Sequence, residues 1–256
     1  MKRVHQPPRP GPQEILWPFP PERFELPPDS VHVWAVDLDS LAAQAERDTG
    51  ILSSAENQRG DRFRFARDRQ RFITRRWALR ILLGRYLNLP TTLLHFEHNP
   101  YGKPALPPEL GDLSFNISHS AGLALLAFTR ARQIGVDIER LRPDYDYPGV
   151  VGRFFSNNEQ AALRALPPAQ RRWAFFAGWT RKEAYIKAHG QGLSLPLDQF
   201  DITLTPNQPA QLLATRHDPA DATRWRLQHL EPSPGYLAAL AVEGRKWDLN
   251  TWQMIG

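Results

Sequence analysis

Cysteine is absent from all 256 residues. Disulfides, thiolate zinc sites and cysteine nucleophiles are thereby excluded, and the absence fits a reducing compartment. Long apolar runs are missing too. The stretch GLALLAF at 122–128 is among the longest, far short of the ~20 apolar residues a membrane-spanning helix needs. The opening stretch MKRVHQPPRPGPQEILWPFPPERFELPP has no continuous apolar core of a secretory signal. These absences lead us to expect a soluble cytoplasmic protein with no membrane association. Three familiar signatures are also lacking: the phosphate loop G-x-x-x-x-G-K-[ST], the dinucleotide fingerprint G-x-G-x-x-G, and the nucleophile elbow G-x-S-x-G. Lysine is missing from the most basic stretch. From Arg59 to Arg85 there are ten Arg against only Asp61 and Asp68. Guanidinium forks suit phosphate or carboxylate partners, although a solvated helix face explains most charge runs of this kind.

What is present suffices for a core. Hydrophobic residues make up 41%, with 8 Trp and 13 Phe, and the length allows one large domain or two small ones. Residues 1–28 are dense in proline and read as an extended arm that packs through Ile15, Leu16, Trp17 and Phe19. VHVWAVDLDS at 31–40 alternates like a strand. Ser53 and Glu56 have capping-box spacing, so a helix starts there, and a longer one runs to about Leu87 before Pro90. LLHFEHN at 93–99 reads as a strand, YGKPAL as a turn, and 113–130 as two short strands around a polar bend.

The second half echoes the first. IGVDIER (134–140) resembles AVDLDS (35–40), setting Asp137 against Asp37 and Glu139 against Asp39. Ser156 and Glu159 repeat the capping box, and 171–190 supplies the counterpart long helix, with FDITLT and YLAALAVE as later strands. The expectation is an α+β fold of two similar halves about a pseudo-twofold axis, antiparallel strands packing on long helices, with a ligand cleft between them. The expected parts are the arm (1–28), an N-terminal half (29–130) and a C-terminal half (131–256). A duplicated chain of this kind is expected to work as a monomer.

On a strand, Asp137 and Glu139 point the same way, roughly 7 Å apart at their attachment points, while Ile138 points into the core. Two such carboxylates face either a cation or open water, and open water is the commoner case. Trp179, Glu183 and Lys187 form one stripe along a helix. They could be a surface ion pair. Alternatively Glu183 could join the other two acids in a hard all-oxygen site of the kind Mg²⁺ takes.

GVDIER, FFSNNE and WTRKEAYIKAHGQGLSLPL, preceded in order by YGKPAL and FNISHS, resemble the signature of the 4′-phosphopantetheinyl transferases of the larger pseudo-dimeric type. The resemblance covers about residues 31–245. It implies transfer of the phosphopantetheine arm of coenzyme A to a serine of an apo acyl or peptidyl carrier protein, with release of adenosine 3′,5′-bisphosphate. It implies Asp137, Glu139 and Glu183 as Mg²⁺ ligands and Lys187 as a pyrophosphate partner. Glu183 or a bound water is the implied base toward the carrier serine. Lys103 in YGKP, Ser118 and His119 in FNISHS, and Arg59 and Arg71 in the arginine-rich stretch are implied coenzyme A contacts; Phe63 and Phe65 are assigned to packing. His95 and His98 fall on opposite strand faces, which argues against zinc there. No glutamate matches Glu183 in the first half, where Arg80 or Ile81 falls, so one active site is expected. Nucleic acid is not an expected partner. Two alternatives stay open: another Mg²⁺-dependent phosphodiester enzyme such as a nuclease, and a non-catalytic module that docks carrier proteins.

Overall fold

The alternating VHVWAVD stretch is buried along almost its whole length, because it is an interior strand of a sheet and has covered faces on both sides. The computed structural model describes residues 16–254 apart from Arg23, Thr49 and Asn207. The first half runs β1 (Ser30–Asp37), α1 (Ala42–Arg47), α2 (Ser54–Asp61), α3 (Ala66–Leu87), β2 (Glu97–His98), β3 (Pro104–Ala105), β4 (Leu113–Ser120) and β5 (Leu123–Arg130). The second runs β6 (Ile134–Arg140), α4 (Pro148–Phe154), α5 (Asn157–Ala165), α6 (Pro168–His189), β7 (Phe200–Ile202), β8 (Leu212–Thr215), α7 (Asp221–Arg224), β9 (Trp225–Leu230), β10 (Tyr236–Glu243) and β11 (Asp248–Gln253). Among the described residues no helix is long and apolar enough to cross a membrane.

Two main sheets result, in strand orders β11-β1-β5-β4 and β6-β10-β9. They press together through Val31, Val33, Leu125 and Ala127 on one side and Val136, Ile138, Leu240 and Val242 on the other. The outer face of the first sheet is covered by α3, through Trp77, Leu79 and Leu83. That of the second is covered by α6, through Phe175, Phe176 and Tyr185. The result is the α+β, two-half architecture expected.

The halves repeat in detail. Both expected capping boxes form: Ser53 and Ser156 each accept from the amide of the glutamate three residues on, and that glutamate accepts from the serine amide. In each half the same glutamate then meets a buried cation from the long helix. Arg80 Nε donates to Glu56 Oε2 at 2.6 Å, and Lys182 Nζ lies 2.8 Å from Glu159 Oε2. Each cation also donates to two carbonyls just beyond its helix: Thr91 and Leu94 for Arg80, Leu197 and Phe200 for Lys182. Arg80 therefore corresponds to Lys182, and Ile81 to Glu183.

Several local expectations change. LLHFEHN is a strand only at Glu97–His98. Thr91–Leu93 forms a short 3₁₀ turn, and Arg80 holds the carbonyls on either side of it. The strands are not all antiparallel, because β11 crosses back from the second half and pairs parallel with β1. This covers an edge of β1 that would otherwise offer unpaired backbone groups. Of the arm residues expected to pack, Trp17 does so, Leu16 and Phe19 stay exposed, and Ile15 lies outside the described residues. Phe24 packs instead, against Trp34, Tyr86 and Trp252. Phe63 leans on Phe72, but Phe65 is 60% exposed, so its assignment to packing fails.

Candidate active site

β6 is the edge of its sheet, and its outward amides need partners. β4, at the edge of the other sheet, supplies them from side chains. The alternation of FNISHS turns Asn116, Ser118 and Ser120 to one face. Asn116 Oδ1 accepts from the Val136 amide at 2.9 Å, and Ser120 Oγ accepts from the Arg140 amide at 3.1 Å. The two halves are thus joined along the strand that carries the paired acids.

Gly135 sets the other wall. A Cβ there would stand 2.1 Å from the Ala184 carbonyl oxygen and 2.3 Å from the Ala188 nitrogen. The missing side chain lets α6 lie directly on β6, which brings Glu183 and Lys187 beside Asp137 and Glu139. Ser118 Oγ donates to Asp137 Oδ1 at 2.8 Å. Lys187 Nζ donates to the same oxygen at 2.6 Å and to Ser118 Oγ at 3.0 Å. Ser120 Oγ donates to Glu139 Oε2 at 2.8 Å.

The three acids sense one another. Burial pushes the half-buried Glu183 carboxyl up to about 7; Asp137 and Glu139 add to the rise, and Lys187 opposes it. Burial also raises Glu139, against the Ser120 hydrogen bond, with Asp137 again adding. Asp137 Oδ2 is buried with no hydrogen-bond partner among the described residues, a costly state for a carboxylate oxygen. An orphaned oxygen, two raised glutamate carboxyls and an all-oxygen donor set fit a hard divalent cation such as Mg²⁺. Lys187 clasps Asp137 at the edge of this set.

The expected phosphate contacts are spread more widely. Lys187 is directed at Asp137 and Ser118. Lys103 Nζ donates to the carbonyls of Ile134 at 3.0 Å and Ala188 at 3.2 Å, and burial brings its pKa down to about 8. It reaches there because Asn99 Oδ1 accepts from the Tyr101 and Lys103 amides while Asn99 Nδ2 donates to the Gly190 carbonyl at 2.7 Å. The YGKP turn is thereby docked on the C-terminal end of α6, where carbonyls lack helical partners. Arg71 forms a two-pronged pair with Asp39, at 2.7 and 2.6 Å. Arg59 is exposed and lies over the Phe72 ring, beside a shallow surface depression also lined by Gln58, Arg62 and Phe63, away from the acids. His119 lies on β4, near Arg75, Lys187 and Arg71. Desolvation, then Arg75, Lys187 and Arg71 in that order, bring it down to about 4.

Two groups were missed from sequence. Ser120 orients Glu139, and the alternation of FNISHS already placed it beside Ser118. Arg75 has no carboxylate partner among the described residues, and burial with Arg76 and Arg59 nearby lowers it to about 10. Nothing in a run of ten arginines singled it out. In the first half the mirrored acids are consumed by structure: Asp37 Oδ1 accepts from the Asp39 and Ser40 amides, and Asp39 holds Arg71.

Residues 133–241 match the family model of the 4′-phosphopantetheinyl transferase superfamily, and residues 40–130 match that of the 4′-phosphopantetheinyl transferase N-terminal region. The chain is 40% identical to 4′-phosphopantetheinyl transferase HetI of Nostoc sp., over 92% of this chain and 97% of that one. It is 30% identical to 4′-phosphopantetheinyl transferase Sfp of Bacillus subtilis, over 82% and 91%. It is also 30% identical to the human L-aminoadipate-semialdehyde dehydrogenase-phosphopantetheinyl transferase, over 73% and 65%. With identity of this order extending across both halves and through the acid-bearing strand and helix, the chain belongs to the 4′-phosphopantetheinyl transferases.

Proposed function

We propose that this transferase takes the 4′-phosphopantetheine arm from coenzyme A and places it on a serine of an apo acyl or peptidyl carrier protein. We further propose that Asp137, Glu139 and Glu183 hold the Mg²⁺ that assists the reaction. The observation that carries this reading is the orphaned Asp137 Oδ2, buried at the junction of the halves beside two carboxyls that resist ionisation. When bound, Mg²⁺ neutralises charge on the coenzyme A pyrophosphate and polarises the attacked phosphorus.

The protein's own groups do the rest. The carrier serine oxygen bonds to the β-phosphorus, the bond from that phosphorus to the bridging pyrophosphate oxygen breaks, and adenosine 3′,5′-bisphosphate leaves. Glu183, or a water it holds, stands where it can take the serine proton. Lys187, fixed by Ser118 and Asp137, sets positive charge beside the pyrophosphate. His119, Arg71 and the unpaired Arg75 form the rim that receives the 3′-phosphate. A phosphate there would draw a proton onto His119, whose neutral form burial and then the surrounding cations otherwise favour. Lys103 and Arg59 are secondary candidates: the first braces the α6 end, and the second adds positive charge near Arg75. Because both halves lie in one chain, a monomer suffices for the site.

The test is the mass of an apo carrier protein after incubation with the enzyme, coenzyme A and Mg²⁺. A phosphopantetheine increment should appear on at least one acyl or peptidyl carrier. Asp137→Ala should slow its appearance by at least about 10²-fold, the scale of losing a group that stabilises transition-state charge, while keeping the wild-type circular dichroism. No increment on any carrier, or an undiminished rate in the variant, would refute the assignment. Family membership leaves the nuclease and non-catalytic readings without support.

A further inference from the structure

On the far side of α6, away from the acidic centre, three side chains from three segments converge. His189 ends α6, His217 lies in the loop after β8, and Asp221 begins α7. Their donor atoms all lie within 4.8 Å of one another. His217 Nε2 stands 3.2 Å from Asp221 Oδ2, and His189 Nε2 stands 3.6 Å from it. In a tetrahedral zinc site with bonds of about 2.0–2.2 Å, neighbouring ligand atoms are about 3.3–3.6 Å apart, so the two measured edges lie close to what such a site needs.

A second observation is independent of that spacing. Among the described residues, no other side chain hydrogen-bonds to the His189 ring. Its Nδ1 is buried without a partner, and 3.6 Å is too long for a hydrogen bond from Nε2. Its side chain is only 18% exposed. A ring this covered normally finds partners for its nitrogens; a cation would give Nε2 one, while Nδ1 stays buried behind it. Support for the carboxylate is already built. Asp221 is fully buried, Tyr185 Oη donates to its Oδ2 at 2.6 Å, and Arg224 Nη1 lies 2.9 Å from its Oδ1. Arg224 is shared with Asp218, at 2.9 Å. The two acids therefore outnumber their cation, and a net negative charge remains for a metal to offset. The rings of Tyr185, His189 and Trp225 wall the cluster.

We infer that His189, His217 and Asp221 form a second metal site, selective for Zn²⁺, with a fourth position left for water. Two imidazoles and one carboxylate suit zinc, whereas Mg²⁺ prefers the all-oxygen set on β6 and α6. Its place gives it a structural task. His189 is two residues beyond Lys187, so zinc would pin the C-terminal end of the catalytic helix to α7.

The test uses the full chain without an affinity tag, stripped with a chelator and dialysed against Zn²⁺ in millimolar Mg²⁺, which keeps the acidic centre occupied. Elemental analysis should find one zinc per chain, and Co²⁺ in its place should give the intense visible bands of a tetrahedral ion. His217→Ala should weaken zinc binding at least tenfold and abolish the zinc-dependent rise in Tm; its metal-free circular dichroism should match wild type. His217→Gln, which keeps a polar group in the loop, should lose zinc equally and serves if the alanine variant folds poorly. No retained zinc, equal zinc in the variants and wild type, or only the weak spectrum of octahedral Co²⁺ would each overturn the proposal.

Discussion

Gly135→Ala tests whether the active site depends on the close approach of α6 to β6. The added methyl would sit 2.1 Å from Ala184 O, 2.3 Å from Ala188 N and 2.9 Å from Ala188 Cα. All three are backbone atoms, so no side-chain rotation relieves the clash. Carbon contacts are comfortable only from about 3.5 Å, so helix and strand must part by roughly 1 Å. Overpacking of this kind costs about 1–3 kcal/mol, or roughly 2–12 °C in Tm for a protein of this size. The same shift stretches the 2.6 Å Lys187–Asp137 contact and carries Glu183 away from β6. A displacement of about 1 Å can cost about 10²-fold in rate. Gly178→Ala is the control: its methyl meets Leu204 Cδ2 at 2.3 Å, a side chain that can turn aside. Thermal melts and initial rates of carrier modification should show both variants destabilised, but only Gly135→Ala losing kcat beyond its loss of folded protein. A Gly135→Ala protein with wild-type kcat and Tm would show that the approach is not needed.

Ser120→Ala removes a side-chain donor to Glu139 and should weaken apparent Mg²⁺ affinity about 10–100-fold, the usual effect of losing a ligand's support; an unchanged Mg²⁺ titration of activity would refute this. Lys103→Ala strips the Ile134 and Ala188 carbonyls of their donor and should cost about 1–3 kcal/mol in urea melts, so undiminished stability would mean that the brace is idle. His32 is 2% exposed, and burial brings it down to about 4. As pH falls through 6.5 the unfolded chain gains a proton that the folded chain declines, so stability should drop by roughly 3 kcal/mol by pH 4. Urea melts of His32→Gln should show a shallower slope across that window, and an identical slope would exclude His32 as its source.

The local patterns that served best were those whose meaning is confined to a few residues. Ser53-x-x-Glu56 and Ser156-x-x-Glu159 closed as capping boxes, because a cap involves one turn of chain. The alternation in GVDIER faced Asp137 and Glu139 toward α6, because strand geometry has a period of two. Patterns that depend on distant partners did not carry through. LLHFEHN is apolar enough for a strand, yet most of it lacks a neighbour to pair with. Arg71 and Lys103 read as free cations, yet one is held by Asp39 and the other by helix-end carbonyls. Nothing local marked β11 as the parallel neighbour of β1.

The sequence by itself determined which residue types were available: an acid pair of fixed facing, a glutamate and lysine one helical turn apart, and two related halves. The family resemblance rested on those short ordered pieces. Tertiary structure decided what each charge does. A side chain's role is set by whichever group lies within about 3 Å of it, and those neighbours come from segments far apart in the chain. Lys187 therefore serves Asp137, Arg75 lies near His119 with no carboxylate partner among the described residues, and two histidines with no pattern in common meet at one aspartate.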